Sequence, residues 1–300
     1  MKMLGALGIA MLATASYPIA AHAQVDQRAI PEQVRAERAA ERARQVDQRA
    51  LAQQLLGNSA ADRAVAVQMA LTLGAPNTGP ELRAALITLL ERNSTILEEA
   101  RRRNVAVANL ENPEFIAHVA HVVSQLEDPR AIPALAGALD SGSTLVSDAL
   151  ADFGEQAAPA VLGVVTSPDS RYSAVDPGLR TLRFMVEEAG TRPLSAGTLD
   201  QIRGAAQRHL MGKPYFTTLW RAIELAVALN DPGLRRIVES LASDPNEAIA
   251  RGVTDPGLIE KTQKWAVDRL AGVPQPRYRS PAERRLLLDP LAGMPSLPRP

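Results

Sequence analysis

Apolar positions recur every three to four residues along most of the chain, and this spacing predicts amphipathic helices. Alternating runs of Val, Ile, Thr and Tyr, which would indicate strands, are nearly absent. Alanine and leucine carry most of the apolar content, and both favour helices. The pattern therefore predicts an all-α protein.

Two segments share a pattern that includes an inner proline. Residues 128–139, DPRAIPALAGAL, align with residues 154–165, GEQAAPAVLGVV, so that Pro133 falls on Pro159. A proline inside a helix lacks an amide donor and collides with the preceding turn. We therefore expect each helix to begin late enough to place its proline within or near the first turn, where amides have no intrahelical partner.

The tetrapeptide DPGL begins at residues 176, 231 and 255, each time ahead of an apolar-periodic run. Aspartate is a good N-cap and proline suits the position after it, so each DPGL predicts a helix start. Together with their neighbours, these segments form short antiparallel helix pairs, each with one apolar face. A pair cannot bury that face alone, and stacking the pairs into a solenoid provides a shared core.

The two aligned segments resemble HEAT repeats, specifically the phycobilisome-lyase-type HEAT-like units. SQLEDPRAIPALAGAL and ADFGEQAAPAVLGVV carry the resemblance, in an alanine-rich helix, a short D-P or G-E turn and a following segment like RAVPAL. The match is good over 113–165 and degenerate over 58–112 and 166–272. It implies an α-solenoid over residues 58–272, and it does not imply bilin chemistry because repeat folds host many unrelated functions.

Residues 1–23 have the features of a cleavable signal peptide. Lys2 precedes an apolar run from Leu4 to about Ala15, and Ala21-His22-Ala23 forms an A-x-A cleavage site. An uncleaved membrane anchor is the alternative, but the run is short for a span and Pro18 interrupts its end. We expect a bacterial protein that is periplasmic or secreted and does not span a membrane after cleavage.

Charge and cysteine content narrow the classes of partner and site. The 33 basic and 33 acidic residues cancel, so the chain has no general attraction for nucleic acid or anionic lipid. The sequence has no cysteine, which excludes disulfides, thiolate metal ligands and cysteine nucleophiles. We expect no nucleic-acid partner.

Residues 24–57 form a predicted charged helical arm. The pentapeptide VDQRA at residues 25 and 46 places Ala29, Ala36, Ala43 and Ala50 on one seam of a helix. A coiled-coil dimer through this seam is one alternative. Because alanine buries little area, we favour a helix that leans on the first repeat, and an oligomer is not favoured.

Residues 273–300 contain seven prolines, a composition that predicts a disordered, extended tail. One short helix is predicted within it, because Ser280 to Glu283 is a capping box with Pro281 at the first helical position, followed by three leucines. This helix either docks on the last repeat or is presented to a partner.

One helix stripe carries candidate metal ligands. Glu114, His118 and His121 fall on one side of the helix predicted over 113–125, and all three residue types can bind zinc. A solvent-facing polar stripe is the alternative reading. The sequence contains no G-x-S-x-G, H-E-x-x-H or G-x-G-x-x-G motif. We predict no enzyme, no cofactor and no assigned metal site.

These features together predict an exported scaffold that binds a protein or peptide partner through its solenoid surface. We expect that surface to be lined by the second helix of each pair, such as those within 130–139 and 233–243. The alternative is a metal-binding or enzyme accessory protein that uses the 114–125 stripe. A third hypothesis is self-assembly through the alanine seam of the arm.

Overall fold

The computed structural model describes residues 46–103 and 113–288, and every regular element in those two ranges is helical. The prediction of an all-α protein is confirmed for these residues. The predicted signal peptide, most of the arm and the last part of the tail lie outside the described residues. Within the two ranges, no helix is both long enough and apolar enough to cross a membrane.

Fourteen α-helices occupy the described ranges, several of them preceded by a single 3-10 turn. In chain order their bounds are α1 Gln48–Leu56, α2 Ala60–Leu73, α3 Pro80–Arg103, α4 Pro113–Gln125, α5 Ile132–Ala138, α6 Thr144–Ala151, α7 Ala158–Thr166, α8 Tyr172–Glu187, α9 Ala196–Met211, α10 Phe216–Leu229, α11 Pro232–Ser243, α12 Pro245–Ala250, α13 Pro256–Leu270 and α14 Pro281–Leu288.

The helices pack in a regular order. From α1 to α11, most helices contact both the next helix in the chain and the next but one. Helices α2, α4, α6, α8, α10 and α13 therefore form one series of neighbours, which we call the front row. Helices α1, α3, α5, α7, α9 and α11 form a second series, the back row, which packs against the first.

The core lies between the two rows and is continuous. One cluster of buried apolar side chains extends from Leu51 in α1 to Ala266 in α13 and includes residues from nearly every helix between them. Each helix pair thus buries its apolar face against the pairs on either side. Removing water from these faces is the main favourable contribution to folding.

The two inner prolines lie in the first turn of their helices, as the sequence predicts. Helix α5 begins at Ile132 and α7 at Ala158, so Pro133 and Pro159 each occupy the second helical position. Amides in the first turn have no intrahelical acceptor, so proline removes no hydrogen bond there. This prediction is confirmed.

Two of the three DPGL segments open helices. Asp231 accepts hydrogen bonds from the amides of Gly233 and Leu234, at 2.8 and 3.0 Å, and caps α11. Asp255 accepts from the amide of Leu258 at 2.8 Å and caps α13. In both helices the proline follows the cap at the first helical position, which confirms the prediction at these sites.

The prediction at the third DPGL is wrong. Helix α8 begins at Tyr172, so Pro177 lies inside the helix and Asp176 is not its N-cap. The Asp176 carboxylate instead accepts hydrogen bonds from the hydroxyls of Thr217, at 2.5 Å, and Thr218. These bonds tie α8 to the start of α10, a tertiary use of aspartate that the tetrapeptide alone does not reveal.

The described end of the predicted arm is a packed helix. Asp47 caps α1 by accepting from two backbone amides, and Leu51, Ala52 and Leu55 are buried against α2 and α3. The described part of the arm therefore packs on α2 and α3, the two helices that follow it in the chain. The other seam positions, including Ala29 and Ala43, lie outside the described residues.

Adjacent leucines at the end of α1 test this packing. Leu55 is fully buried whereas Leu56 is 43% exposed. Leu55→Ala should lower the free energy of unfolding by about 2–5 kcal/mol, because a cavity is left in the core. Leu56→Ala should lower it by less than about 1 kcal/mol. Urea denaturation measures both, and equal effects of the two substitutions would show that α1 is not packed this way.

Candidate functional site

The C-terminal segment, residues 273–288, returns across the front row. After α13 ends, the Arg183 guanidinium of α8 donates to the carbonyl oxygen of Pro276, Arg279 pairs with Asp148 of α6, and α14 packs on α4. The predicted disordered tail is therefore wrong for these residues. The short helix does dock, but it does so in the middle of the helix array and not on the last repeat.

Tyr278 is the apolar anchor of the segment. Its side chain is 5% exposed, and its ring meets the ring of Phe184 edge-on with centroids 6.2 Å apart. The hydroxyl donates to Asp152 Oδ1 at 2.5 Å and accepts from Arg192 Nη1 at 3.3 Å. Burial, together with the neighbouring Asp152, raises the pKa of Tyr278 to about 12, so the hydroxyl remains a donor at neutral pH.

Arg284 is fully buried and ends the docked stretch. Its guanidinium donates to both carboxylate oxygens of Asp152, with Nη1 to Oδ1 at 3.3 Å. It also donates to the carbonyl oxygen of Arg279 at 2.6 Å and lies 3.4 Å from Ser124 Oγ. A buried guanidinium needs such a set of acceptors, because its desolvation is costly without them.

Arg279 is half-buried and forms a second ion pair with a buried carboxylate. Its Nε donates to Asp148 Oδ2 at 2.8 Å, its backbone amide donates to Oδ1 at 3.3 Å, and Nη2 donates to Thr144 Oγ1 at 2.9 Å. The Asp148 side chain has no exposed surface. Burial raises the pKa of Asp148 to about 6, while the positive charges of Arg279 and Arg284 act in the opposite direction.

The start of α14 is fixed by the predicted capping box. Ser280 Oγ accepts from the amide of Glu283 at 3.3 Å, and Glu283 Oε2 accepts from the amide of Ser280 at 2.9 Å. Hydrogen bonds from Arg277 and Ser280 lower the pKa of Glu283 to about 2. The box is confirmed, and it sets the helix start so that Arg284 reaches Asp152 from the first turn.

The candidate metal ligands do not form a common site in the structure. Glu114 is exposed, and its carbonyl oxygen lies 2.8 Å from Nδ1 of the half-buried His118. His121 is buried, and Arg284 Nε lies 3.5 Å from its Nδ1. The stripe is therefore covered by α14 at His121 instead of facing solvent. Across the described ranges, no three His, Cys, Asp or Glu side chains gather in a way that could hold a metal.

Sequence reasoning missed the residues that bind the C-terminal segment. Asp148 and Asp152 are four residues apart, so they lie on the same side of α6, in a segment that is otherwise apolar. That pair was the available signal. It does not reveal the partner, because Arg284 is 132 residues away along the chain.

Buried charge continues along the front row beyond the segment. Arg183 and Glu224 are each 1% exposed, with Nη1 and Oε2 4.0 Å apart, and Arg221 Nη1 donates to Glu224 Oε1 at 2.8 Å. Burial lowers the pKa of Arg180 to about 10.

The second helices expected to line the binding surface, such as α5 and α11, lie in the back row. The charged groups are on the first helices.

An aromatic row begins at an exposed tyrosine pair. Tyr172 and Tyr215 stack with their centroids 4.4 Å apart and remain 54% and 49% exposed. Phe216, Trp220 and Trp265 continue the row with successive centroid distances of 4.6, 5.2 and 5.2 Å. The row thus links α8, α10 and α13 and presents two tyrosine rings to solvent.

A groove of about 320 Å³ lies beside the docked segment. Gln125, Asp152, Gln156, Arg192 and Pro281 are among its lining residues. The groove therefore shares Asp152 with the Arg284 site, and one of its walls belongs to the segment. Its lining is mainly polar, which suits hydrogen-bonding side chains better than an apolar ligand.

The sequence matches no protein-family model, no characterised protein and no solved structure.

Removing the Arg284 guanidinium should release the segment. Arg284→Met leaves Asp152 buried without its main cation, a loss of about 3–5 kcal/mol. Trypsin cleavage after Arg277 and Arg279 should become at least about 100-fold faster. Arg103→Met, in an exposed position, is the matched control and should change the rate less than about threefold. Similar cleavage rates in both variants would contradict the docking described here.

The raised pKa of Asp148 sets the sign of a pH effect. The folded protein, with a pKa of about 6, holds a proton that the unfolded chain releases near 3.8. Stability from this group is therefore fully present only below the unfolded pKa of 3.8 and is lost as the pH rises through 6. Relative to Asp148→Asn, the parent's free energy of unfolding should fall by about 2 kcal/mol from pH 4 to 7. Urea denaturation across this range tests the sign, and a flat or rising difference would contradict it.

Proposed function

We propose that this protein is an exported α-solenoid of HEAT-like repeats that binds a protein or peptide partner and catalyses no reaction. The packing order supports the solenoid, because successive helices contact the next and the next but one and share one core. Repeats stacked in this way present long surfaces that bind through area and not through a single reactive residue.

The front row is the proposed binding surface. The observation that carries this proposal is that the front row already holds an extended stretch of polypeptide, with Tyr278 and Arg284 inserted into buried, polar-lined positions. Tyrosine and arginine are the residue types that dominate the energetics of protein interfaces. A surface that accepts them from its own chain has the chemistry to accept them from another.

The exposed tyrosine pair extends this surface. Tyr172, Asp176, Arg180 and Arg183 are spaced by three or four residues, which places them along one side of α8. Because Arg183 contacts the C-terminal segment, Tyr172 lies on the same side of α8 as the docked peptide. Half-exposed aromatic rings in such a position suit an interface anchor.

The N-terminal sequence supports the proposal that the protein is exported. The basic residue Lys2, the short apolar run and the A-x-A site support a cleaved signal peptide, and the cysteine-free chain is suited to an oxidising compartment. The proposed location is the periplasm of a double-membraned bacterium, or the medium. The alternative of a metal-binding accessory protein gains no support from the 114–125 stripe, where His121 is covered by Arg284.

Capture from the exported fraction tests the proposal. The chain from Gln24 onward serves as bait, with crosslinking and quantitative mass spectrometry. Tyr172→Ser combined with Tyr215→Ser should reduce recovery of the partner at least about tenfold, since interface anchors contribute about 2 kcal/mol or more.

The matched control places the same substitution on exposed back-row residues, Gln207→Ser with Arg236→Ser. It should leave recovery within about twofold. No reproducible partner, or equal losses in the front-row and back-row variants, would contradict binding through the front row.

A further inference from the structure

We infer that the floor formed by Ser124, Asp148 and Asp152 is a binding site for a segment of a partner protein, and that the C-terminal segment occupies it as an internal competitor. The partner segment carries a tyrosine, an arginine directly after it, and a second arginine five residues later at the start of a helix. This inference rests on the proposed function and names the chemistry of its ligand.

The selectivity for tyrosine and arginine side chains comes from the two carboxylates of the floor. Asp152 Oδ1 accepts from the Tyr278 hydroxyl, and both Asp152 oxygens accept from Arg284. Asp148 accepts from both the side chain and the backbone of Arg279. The two carboxylates belong to α6 or its C-cap, and α6 is packed between α4 and α8. Two buried carboxylates select guanidinium groups, which can satisfy both oxygens of each at once.

The C-terminal segment is joined to the fold by an exposed connection. Residues 271–274 are exposed, as are Pro276 and Arg277, and Gly272 has a left-handed backbone with φ of +72°. Among the segment's described side chains, Tyr278 alone belongs to the continuous apolar core. Among the described side chains of the segment, leaving the floor would therefore remove one aromatic ring from that core.

The C-terminal segment does not use the whole site. The groove of about 320 Å³ beside Pro281 shares Asp152 with the Arg284 pocket and remains open. The buried Nε and Nη1 of Arg183 have no hydrogen-bond partner in the described structure, although carboxylate oxygens of Glu187 and Glu224 lie 3.7 and 4.0 Å away. Buried polar atoms without hydrogen bonds are costly.

The open groove and the buried polar atoms without hydrogen bonds favour a partner protein over a second copy of this chain as the occupant of the site. A partner segment that fills the groove and satisfies these atoms gains contacts that the C-terminal segment lacks. A second copy that exchanged its own segment would reproduce the same gaps.

The test uses the full chain with a specific protease site inserted after Gly272. Cleavage leaves the segment bound only by its non-covalent contacts. A fluorescent synthetic peptide of residues 274–290 is then added in excess, and anisotropy follows its binding while mass spectrometry follows the released segment. We expect the peptide to replace the segment and to bind saturably.

Variant peptides test the assigned contacts. Tyr278→Phe, Arg279→Gln and Arg284→Gln should each weaken binding at least about tenfold, because each removes a side-chain donor from a largely buried carboxylate. Arg277→Gln makes the same change of charge at an exposed side chain and should stay within about threefold. Equal effects of the four substitutions, or no exchange of the peptide, would overturn the inference.

Two further outcomes separate this inference from the proposed function. A partner captured through the front row that also displaces the peptide supports both. A partner that binds while the peptide stays in place leaves the proposed function standing and overturns the inferred site. Concentration-dependent dimers of the uncleaved chain that the free peptide dissociates would identify a second copy as the occupant and overturn the assignment to a partner.

Discussion

The carboxylates of Asp148 and Asp152 are held almost out of contact with water, and this constraint determines where the C-terminal segment, residues 273–288, lies. An ionised carboxylate in such a position is costly unless cations and hydrogen-bond donors reach it. The C-terminal segment supplies the donors, through Tyr278, Arg279 and Arg284. The raised pKa of Asp148 shows that this compensation is partial, because burial outweighs the attraction of the arginines.

Charge and packing have separate roles in this fold. The apolar core between the two rows runs through the helix pairs and receives one described side chain, Tyr278, from the C-terminal segment. The segment itself is positioned by hydrogen-bonded ion pairs on the outer side of the front row. A surface that binds peptide mainly through polar contacts can exchange its ligand without disturbing the core. Because the ion pairs that hold the segment are separate from the apolar core, the front row, and not the back row, is the candidate binding surface.

The helical class and several helix starts could be predicted from sequence because they depend on local rules. The late starts that accommodate Pro133 and Pro159 follow from the missing amide, and the caps at Asp231 and Asp255 follow from side-chain geometry. The same local rule was wrong at Pro177, since Asp176 bonds to two threonines of another helix. Local sequence does not determine whether an aspartate caps a helix or forms hydrogen bonds with another helix.

The candidate site could not be predicted for a related reason. Proline content suggests a mobile tail, and long-range contacts such as those of Arg284 with Asp152 and of Arg279 with Asp148 reverse that expectation. Likewise, helical periodicity places His121 on the polar stripe of α4, but its burial depends on the docking of α14. The capping box from Ser280 to Glu283 was predictable, whereas the surface that receives the helix was not.

Both proposals depend on the position of α14 over α4, which a distance between the two helices can test. The chain has no cysteine, so spin labels on Glu114→Cys and Ala282→Cys, both exposed positions, would be the only ones present. Packed helix axes lie about 8–10 Å apart, and α4 is roughly 20 Å long. If α14 lies over α4, the labels should give one narrow distance distribution of roughly this scale, extended by the label arms. A broad distribution centred well beyond it would show that the C-terminal segment is not docked on the front row.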